Sequence, residues 1–312
     1  MIKSIDLPAS CFEHCALPDI FSEVTILERY KDRAGICQII DYGLAQESYW
    51  VVMKRYRCSL AEWRAKQQQG SVLSKGSNPS VTSLLLSILL QVVRALAVLA
   101  SDSVVHFDLK CSNILIDPLP GVKDSELYCT TPPVDGSAVR VPFQVVLADF
   151  GEARSYRTAE EAFTVRNRGT EVYKSPEMLM MNQLGGSRAG GKNEGHFGGD
   201  LGSPSQTSLT TPPVDAAKAA LSGAGLASDI WSLGCVAFEL ISGSVLFGGD
   251  YASVTHRVAF GGAGNLRLNE AERVALGGRV EVIDLVEWIL ARDPAQRPSL
   301  GDIEARLEKL II

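Results

Sequence analysis

The spacing of apolar residues changes along the chain, and each change marks an element. Residues 21–30 carry apolar side chains at helical spacing, with Val24, Leu27 and Tyr30 among them and Ser22 as a candidate cap, which predicts a helix. Residues 36–42 and 48–53 are short runs rich in β-branched and aromatic residues, which predicts two strands with Gly43 in the turn between them. Residues 81–100 are nearly all apolar and predict one long helix. The short apolar runs 114–116 and 145–148 read as buried strands. Residues 230–242 read as another apolar helix, with Ser228 or Asp229 at its start, and helical spacing returns at 281–291 and 300–310.

Two stretches fall outside this pattern. Residues 119–142 have no period of either kind. Residues 184–227 are rich in Gly, Ser, Thr and Pro and are expected to be mostly disordered. The same hexapeptide occurs in both, as Thr130-Thr131-Pro132-Pro133-Val134-Asp135 and as Thr210-Thr211-Pro212-Pro213-Val214-Asp215. The copies are too short and too far apart to form a structural repeat. They are either a low-complexity echo or a pair of docking or Thr-Pro phosphorylation sites, for which an extended Pro-Pro segment is suited.

At 312 residues the chain can bury a large core, and 46% hydrophobic with 21% charged residues is ordinary for a globular protein. A net charge of −6 argues against nucleic acid or an anionic membrane as the main partner. The long apolar stretch 81–100 could span a bilayer by length, but Gln91 and Arg94 interrupt it near its middle, so a helix buried inside a globular lobe is the better reading. The start of the chain has no signal-peptide pattern. Seven scattered cysteines fit a reducing compartment, and the expected location is cytoplasmic, with the nucleus as the alternative. Cys11-x-x-His14-Cys15 has no second ligand pair at zinc spacing and is read as free thiols in a linker. Nothing in the sequence speaks to oligomeric state.

The candidate chemistry lies in His106-Phe107-Asp108-Leu109-Lys110-Cys111-Ser112-Asn113 and in Asp149-Phe150-Gly151, which closes the apolar run Val145-Val146-Leu147-Ala148. Phosphoryl transfer needs a carboxylate for the attacking hydroxyl, a cation for the γ-phosphate and oxygen ligands for Mg²⁺. The two motifs resemble the catalytic loop and metal-binding loop of the eukaryotic protein kinase family. Further matches are Gly169-Thr170-Glu171-Val172-Tyr173-Lys174-Ser175-Pro176-Glu177, Ser228-Asp229-Ile230-Trp231 and Arg292-Asp293-Pro294-Ala295-Gln296-Arg297.

The resemblance implies an α+β, bilobal kinase-like fold: a small β-rich lobe over residues 1–56 and a larger helical lobe over 57–312, with insertions at about 119–142 and 184–227. It implies ATP and Mg²⁺ as cofactors and a protein as substrate. Asp108 would orient the substrate hydroxyl and accept its proton, and Lys110 would stabilise the transferred group. Asn113 and Asp149 would hold the metal. Lys3, at the end of Met1-Ile2-Lys3, would hold the α/β-phosphates and pair with Glu23. Met53 would guard the back of the nucleotide pocket, the backbone of Lys54 and Tyr56 would meet adenine, and Leu115 would lie under the base. Leu27, Ile39, His106 and Phe150 would form the apolar stack between the lobes. Thr170 belongs to the substrate-facing loop. Glu177 with Arg297, and Asp229 beneath the catalytic loop, would be structural. Lys110 and Thr170 favour Ser/Thr over Tyr.

Two departures qualify the resemblance. No glycine-rich loop precedes the lysine strand. The expectation is therefore either a shortened chain or nucleotide held without a phosphate lid, with weaker ATP binding. Phe107 stands where many members carry Arg, and Arg166 stands where a phosphoacceptor often sits, so activity is expected not to depend on phosphorylation there. Ser155, Tyr156, Thr158 and Thr164 remain weak candidates for modification. The leading reading is a Ser/Thr protein kinase. The alternatives are a catalytically impaired kinase-like scaffold and, more remotely, a small-molecule kinase.

Overall fold

The computed structural model describes residues 1–6, 16–45, 48–69, 79–128, 140–158, 161–164, 166–185, 224–262 and 264–311. In the small lobe, β1 (Ile2–Asp6), β2 (Ile39–Ala45) and β3 (Ser48–Met53) form an antiparallel sheet in the order β1-β3-β2. Strand β3 buries Tyr49, Val51 and Met53 and leaves the residues between them half-exposed, the period of two that a one-sided sheet requires. Helix α1 (Ala16–Arg29) supplies Val24, Ile26 and Leu27 to the same core.

Three details differ from the sequence reading. Helix α1 starts earlier than residue 21, and Ser22 does not cap it: its hydroxyl donates to the Ala153 carbonyl at 3.1 Å. Gly43 is a strand residue rather than a turn residue. It lies opposite Trp50, whose indole fills the space a Cβ would need. Residues 36–38 precede the strand and tie the lobes together instead: Ile36 bridges Leu147, Cys37 N–H donates to Leu147 O at 2.8 Å, and Leu147 N–H donates to Gly35 O at 2.8 Å.

The larger lobe is built on α3 (Pro79–Ser101) and a central buried helix. The lobe also contains, in chain order, β4 (Cys58–Ser59), α2 (Leu60–Gln69), β5 (Val104–Val105), β6 (Ile114–Pro118), α4 (Asp124–Leu127), β7 (Phe143–Leu147), β8 (Arg154–Ser155), β9 (Phe163–Thr164) and α5 (Pro176–Gly185). After β10 (Ala224–Gly225) come the central helix α6 (Leu226–Ser242), then α7 (Tyr251–Thr255), α8 (Glu270–Ala275), α9 (Val280–Ile289) and α10 (Leu300–Ile311). The two polar breaks in α3 have partners within the lobe. Gln91 accepts from Val145 N–H at 3.0 Å, and Arg94 pairs with Glu304 and Glu308 of α10 at 2.7 and 2.8 Å. Residues 231–238 of α6 are all buried, and Gly234 lets α9 approach: a Cβ there would meet Leu290 Cδ2 at 2.7 Å.

The aperiodic stretches are more ordered at their ends than the sequence suggested. Residues 119–128 fold onto the core. Leu127 is buried, its carbonyl accepts the Trp63 indole N–H at 2.8 Å, and Arg57 grips Asp124 at 2.6 Å. A four-residue helix has too few positions to show a period, and long-range contacts hold it. At the other stretch, α5 runs to Gly185, β10 pairs with β9, and α6 starts at Leu226, ahead of Ser228 and Asp229. Both hexapeptides and the Cys11–Cys15 motif lie outside the described residues.

Candidate active site

The loop from His106 to Lys110 hangs between β5 and a single 3₁₀ turn, Cys111–Asn113. Asp229, in the first turn of α6, braces it from below: its carboxylate accepts the backbone N–H groups of His106 at 2.7 Å and Phe107 at 2.8 Å. Burial pushes the Asp229 carboxyl above the usual range even with those bonds. Phe107 and Asp149 both take left-handed backbone, at φ 61° and 63°, a conformation that side chains other than glycine adopt only where surroundings over-determine it.

This bracing holds Asp108 in place, and its carboxylate is surrounded by donors. Oδ2 accepts from Lys110 Nζ at 2.7 Å and Asn113 Nδ2 at 2.9 Å, and Oδ1 accepts the Thr170 hydroxyl at 2.7 Å. Lys110 Nζ also donates to Thr170 at 2.6 Å, so four residues from two separate loops meet at one point. Asn113 donates once more, to the Asp108 carbonyl at 2.9 Å, which leaves its amide oxygen as the group available to a metal. His106 is buried. Its Nε2 donates to the Ala148 carbonyl at 3.1 Å, and its ring lies 5.0 Å from that of Phe150. Phe150 shares its core with Leu27 and Ile39, so the four residues expected to stack between the lobes lie in one apolar body.

Across the cleft, Lys3 Nζ lies 3.0 Å from both oxygens of Glu23 and 3.1 Å from Asp149 Oδ1. Glu23 is 2% exposed, whereas the Asp149 side chain is 49% exposed and open to a ligand. Burial alone would pull the Lys3 ammonium down, but the carboxylates of Glu23 and Asp149 more than offset it and hold it above its usual value. Burial likewise pushes Asp149 up, and Lys3 more than offsets this, so its carboxyl lies below the usual range.

A cleft of about 750 Å³ is lined by Met1, Lys54, Tyr56, Ser112 and Leu115 among others. Met53 is buried, its sulfur 3.7 Å from Cys37 Sγ. The Lys54 N–H is taken by Gln38 O at 2.9 Å. The Lys54 carbonyl and the Tyr56 amide have no backbone partner among the described residues.

The structural residues are brought together as well. Glu177, at the start of α5, is clasped by Arg297 through two 2.7 Å bonds, and Ser228 donates to the same carboxylate at 2.8 Å. Both side chains of the pair are almost fully buried. Burial would raise the Glu177 carboxyl, but Arg297 more than offsets it and keeps it below the usual range.

Other contacts carried no sequence signal. Arg64, buried in α2, donates to the Leu240 and Ile241 carbonyls at the end of α6 at 2.7 and 2.9 Å. Tyr173 O–H donates to Glu239 at 2.5 Å, fixing the loop of residues 169–177 to the central helix. Each joins residues far apart in sequence, and no local pattern could have announced it.

With this geometry in view, comparison with known proteins is direct. A family model for the protein kinase domain matches residues 2–189. The chain is 34% identical over 303 residues, 97% of its length, to a probable serine/threonine-protein kinase of Dictyostelium discoideum. It is 24% identical over 309 residues to the MAP kinase kinase kinase wis4 of Schizosaccharomyces pombe, and 28% identical over 175 residues to the meiosis-specific serine/threonine-protein kinase mek1 of the same yeast, 56% of this chain and 28% of mek1. The chain belongs to the protein kinase family. It spans 11% of the length of the Dictyostelium relative and 17% of that of wis4.

Proposed function

We propose that this chain is a Ser/Thr protein kinase domain that transfers the γ-phosphate of ATP to hydroxyl groups of proteins. The observation that carries this reading is the convergence on Asp108 of Lys110, Asn113 and the Thr170 hydroxyl. Thr170 already shows that Asp108 accepts an aliphatic hydroxyl at 2.7 Å, the same group a serine or threonine substrate offers. A substrate hydroxyl in that position passes its proton to Asp108 as its oxygen bonds the γ-phosphorus. The bond from that phosphorus to the β–γ bridging oxygen breaks, and ADP leaves. Lys110, a cation within reach of both Asp108 and Thr170, neutralises charge on the moving group. Lys3, held by Glu23, takes the α/β-phosphates, and the backbone of Lys54 and Tyr56, with Met53 behind and Leu115 beneath, takes the base.

The residues also fit Mg²⁺: an exposed carboxylate of lowered proton affinity at Asp149 and an amide oxygen at Asn113 form a hard oxygen donor set. Bound there, Mg²⁺ supplies charge neutralisation across the phosphates. The names of the Dictyostelium relative and of mek1, together with Lys110 and Thr170, support Ser/Thr over Tyr. The test is the thermal shift of the purified chain with Mg²⁺-ATP beside the Asp149→Asn variant, followed by phosphotransfer to a serine peptide. Stabilisation that the variant loses, with phosphotransfer, supports the reading. A folded protein with neither shift nor transfer overturns it in favour of a scaffold.

A further inference from the structure

Phe107 occupies an unusual place for a large apolar side chain, between His106 and Asp108 in the loop that presents the reacting carboxylate. It is only 5% exposed. Its ring does not enter the main core. It joins a second, separate apolar cluster made of Val105, Ala162, Met178, Met181 and Ala224, with Tyr156 and Leu226 at the margin. These residues come from the catalytic loop, from the segment after Asp149, from α5 and from the strand that leads into α6. The cluster thus joins a side chain of the catalytic loop to the segment after Asp149, to α5 and to β10.

The backbone supports the same assembly. Strand β9 pairs with β10, joining Phe163 to Gly225 and Thr164 to Ala224. Gly225 lies so close to Ala162 that any Cβ would strike the Ala162 carbonyl, and Gly169, at φ 82°, packs its backbone on the Phe107 carbonyl in the same way. Tyr156 N–H donates to Ser103 O at 3.0 Å, and Arg168 N–H donates to the sulfur of Met178, a member of the cluster, at 3.2 Å. Thr170 follows two residues after Arg168 and reaches Asp108.

We infer that Phe107 is a positioning residue: its apolar cluster anchors the segment from Tyr156 to Met178 on the catalytic loop, and so assembles the substrate-facing loop in the unmodified chain. The physical basis is that burial of apolar surface needs no added charge, whereas an anchor built on an ion pair with a phosphate is absent until the modification arrives. This inference rests on the kinase reading for its kinetic consequence, but not for its structural one.

The experiment compares the unmodified wild-type chain with Phe107→Leu, Phe107→Ala and Met181→Ala. The readouts are hydrogen exchange over residues 161–175 and peptide kinetics. Phe107→Leu keeps the anchor apolar and is expected to match wild type. Phe107→Ala and Met181→Ala are expected to speed exchange over 161–175 while helix α3 stays protected, and to raise the peptide KM about ten-fold with the ATP KM nearly unchanged. Unchanged exchange in both alanine variants overturns the inference. So does a wild-type segment that becomes protected only after phosphorylation. If wild type shows no phosphotransfer, the kinase reading fails while the exchange comparison still decides the anchor.

Discussion

At the scale of single residues, the site rests on a few side chains that each do one thing because of where they are held. In the proposed mechanism Asp108 accepts the substrate proton, so Asp108→Asn is expected to lower kcat for a serine peptide by about 10²–10⁴-fold. The Mg²⁺-ATP thermal shift should persist, because Lys3, Asn113 and Asp149 remain. Loss of the shift in that variant would show that Asp108 does its work in nucleotide binding. Lys3 has a different vulnerability. It neutralises Glu23, which is 2% exposed, and Lys3→Met strands that carboxylate, at a cost of about 3 kcal/mol. The double variant Lys3→Met/Glu23→Gln should recover most of that stability in urea unfolding and recover no phosphotransfer, which separates the pair's contribution to stability from the role proposed for Lys3 at the phosphates. These residues were legible in the sequence because their chemistry sits in short motifs. That Thr170 closes on Asp108 and Lys110 was not, since the motif gave it only to a loop 62 residues away from Asp108.

At the scale of elements, α6 organises the larger lobe. Its first turn braces the catalytic loop through Asp229, its middle is fully buried, and its far end is capped by Arg64. Gly234 is the contact with α9, and Gly234→Val would push a branched side chain into Leu290 and Ile289. A loss of about 1–3 kcal/mol in chemical denaturation is expected, with the ATP KM little changed in the fraction that remains folded. The pair Glu177–Arg297 fixes α5 to the turn between α9 and α10. Glu177→Gln leaves Arg297 buried without its carboxylate and should cost roughly 3–5 kcal/mol. The pH dependence has a definite sign. The folded-state pKa of Glu177 is depressed, so its contribution is fully present above the unfolded value of about 4.3 and is lost as pH falls through the lower folded value. The stability of Glu177→Gln should therefore fall less steeply with acid than that of wild type below about pH 4.3. A parallel dependence in the two proteins would mean that other carboxylates control acid unfolding. The long elements were readable from apolar period. The exceptions have specific causes: α4 is too short to show a period, and Gly43 reads as a turn residue unless Trp50 is known to lie across from it.

At the scale of the whole molecule, the two lobes meet through Lys3 and Asp149, through the apolar body of Leu27, Ile39, His106 and Phe150, and through the backbone ties of residues 35–37 to Leu147. A ligand that draws on Lys3 and Asp149 together therefore bears on the relation between the lobes, which is why Mg²⁺-ATP is expected to shift the melting of the entire chain rather than loosen or tighten one loop. The sequence by itself determined the fold family, the order of the long helices and strands, and the identity of the residues that converge on the cleft, because motif spacing and apolar period are local properties of the chain. The tertiary structure alone decided how Thr170, Lys110 and Asn113 share one carboxylate, how Leu127 meets Trp63, and that Phe107 shares an apolar cluster with Ala162, Met178, Met181 and Ala224. Those arrangements depend on which distant side chains fill the same space, and packing of that kind is specified only once the whole chain has closed on itself.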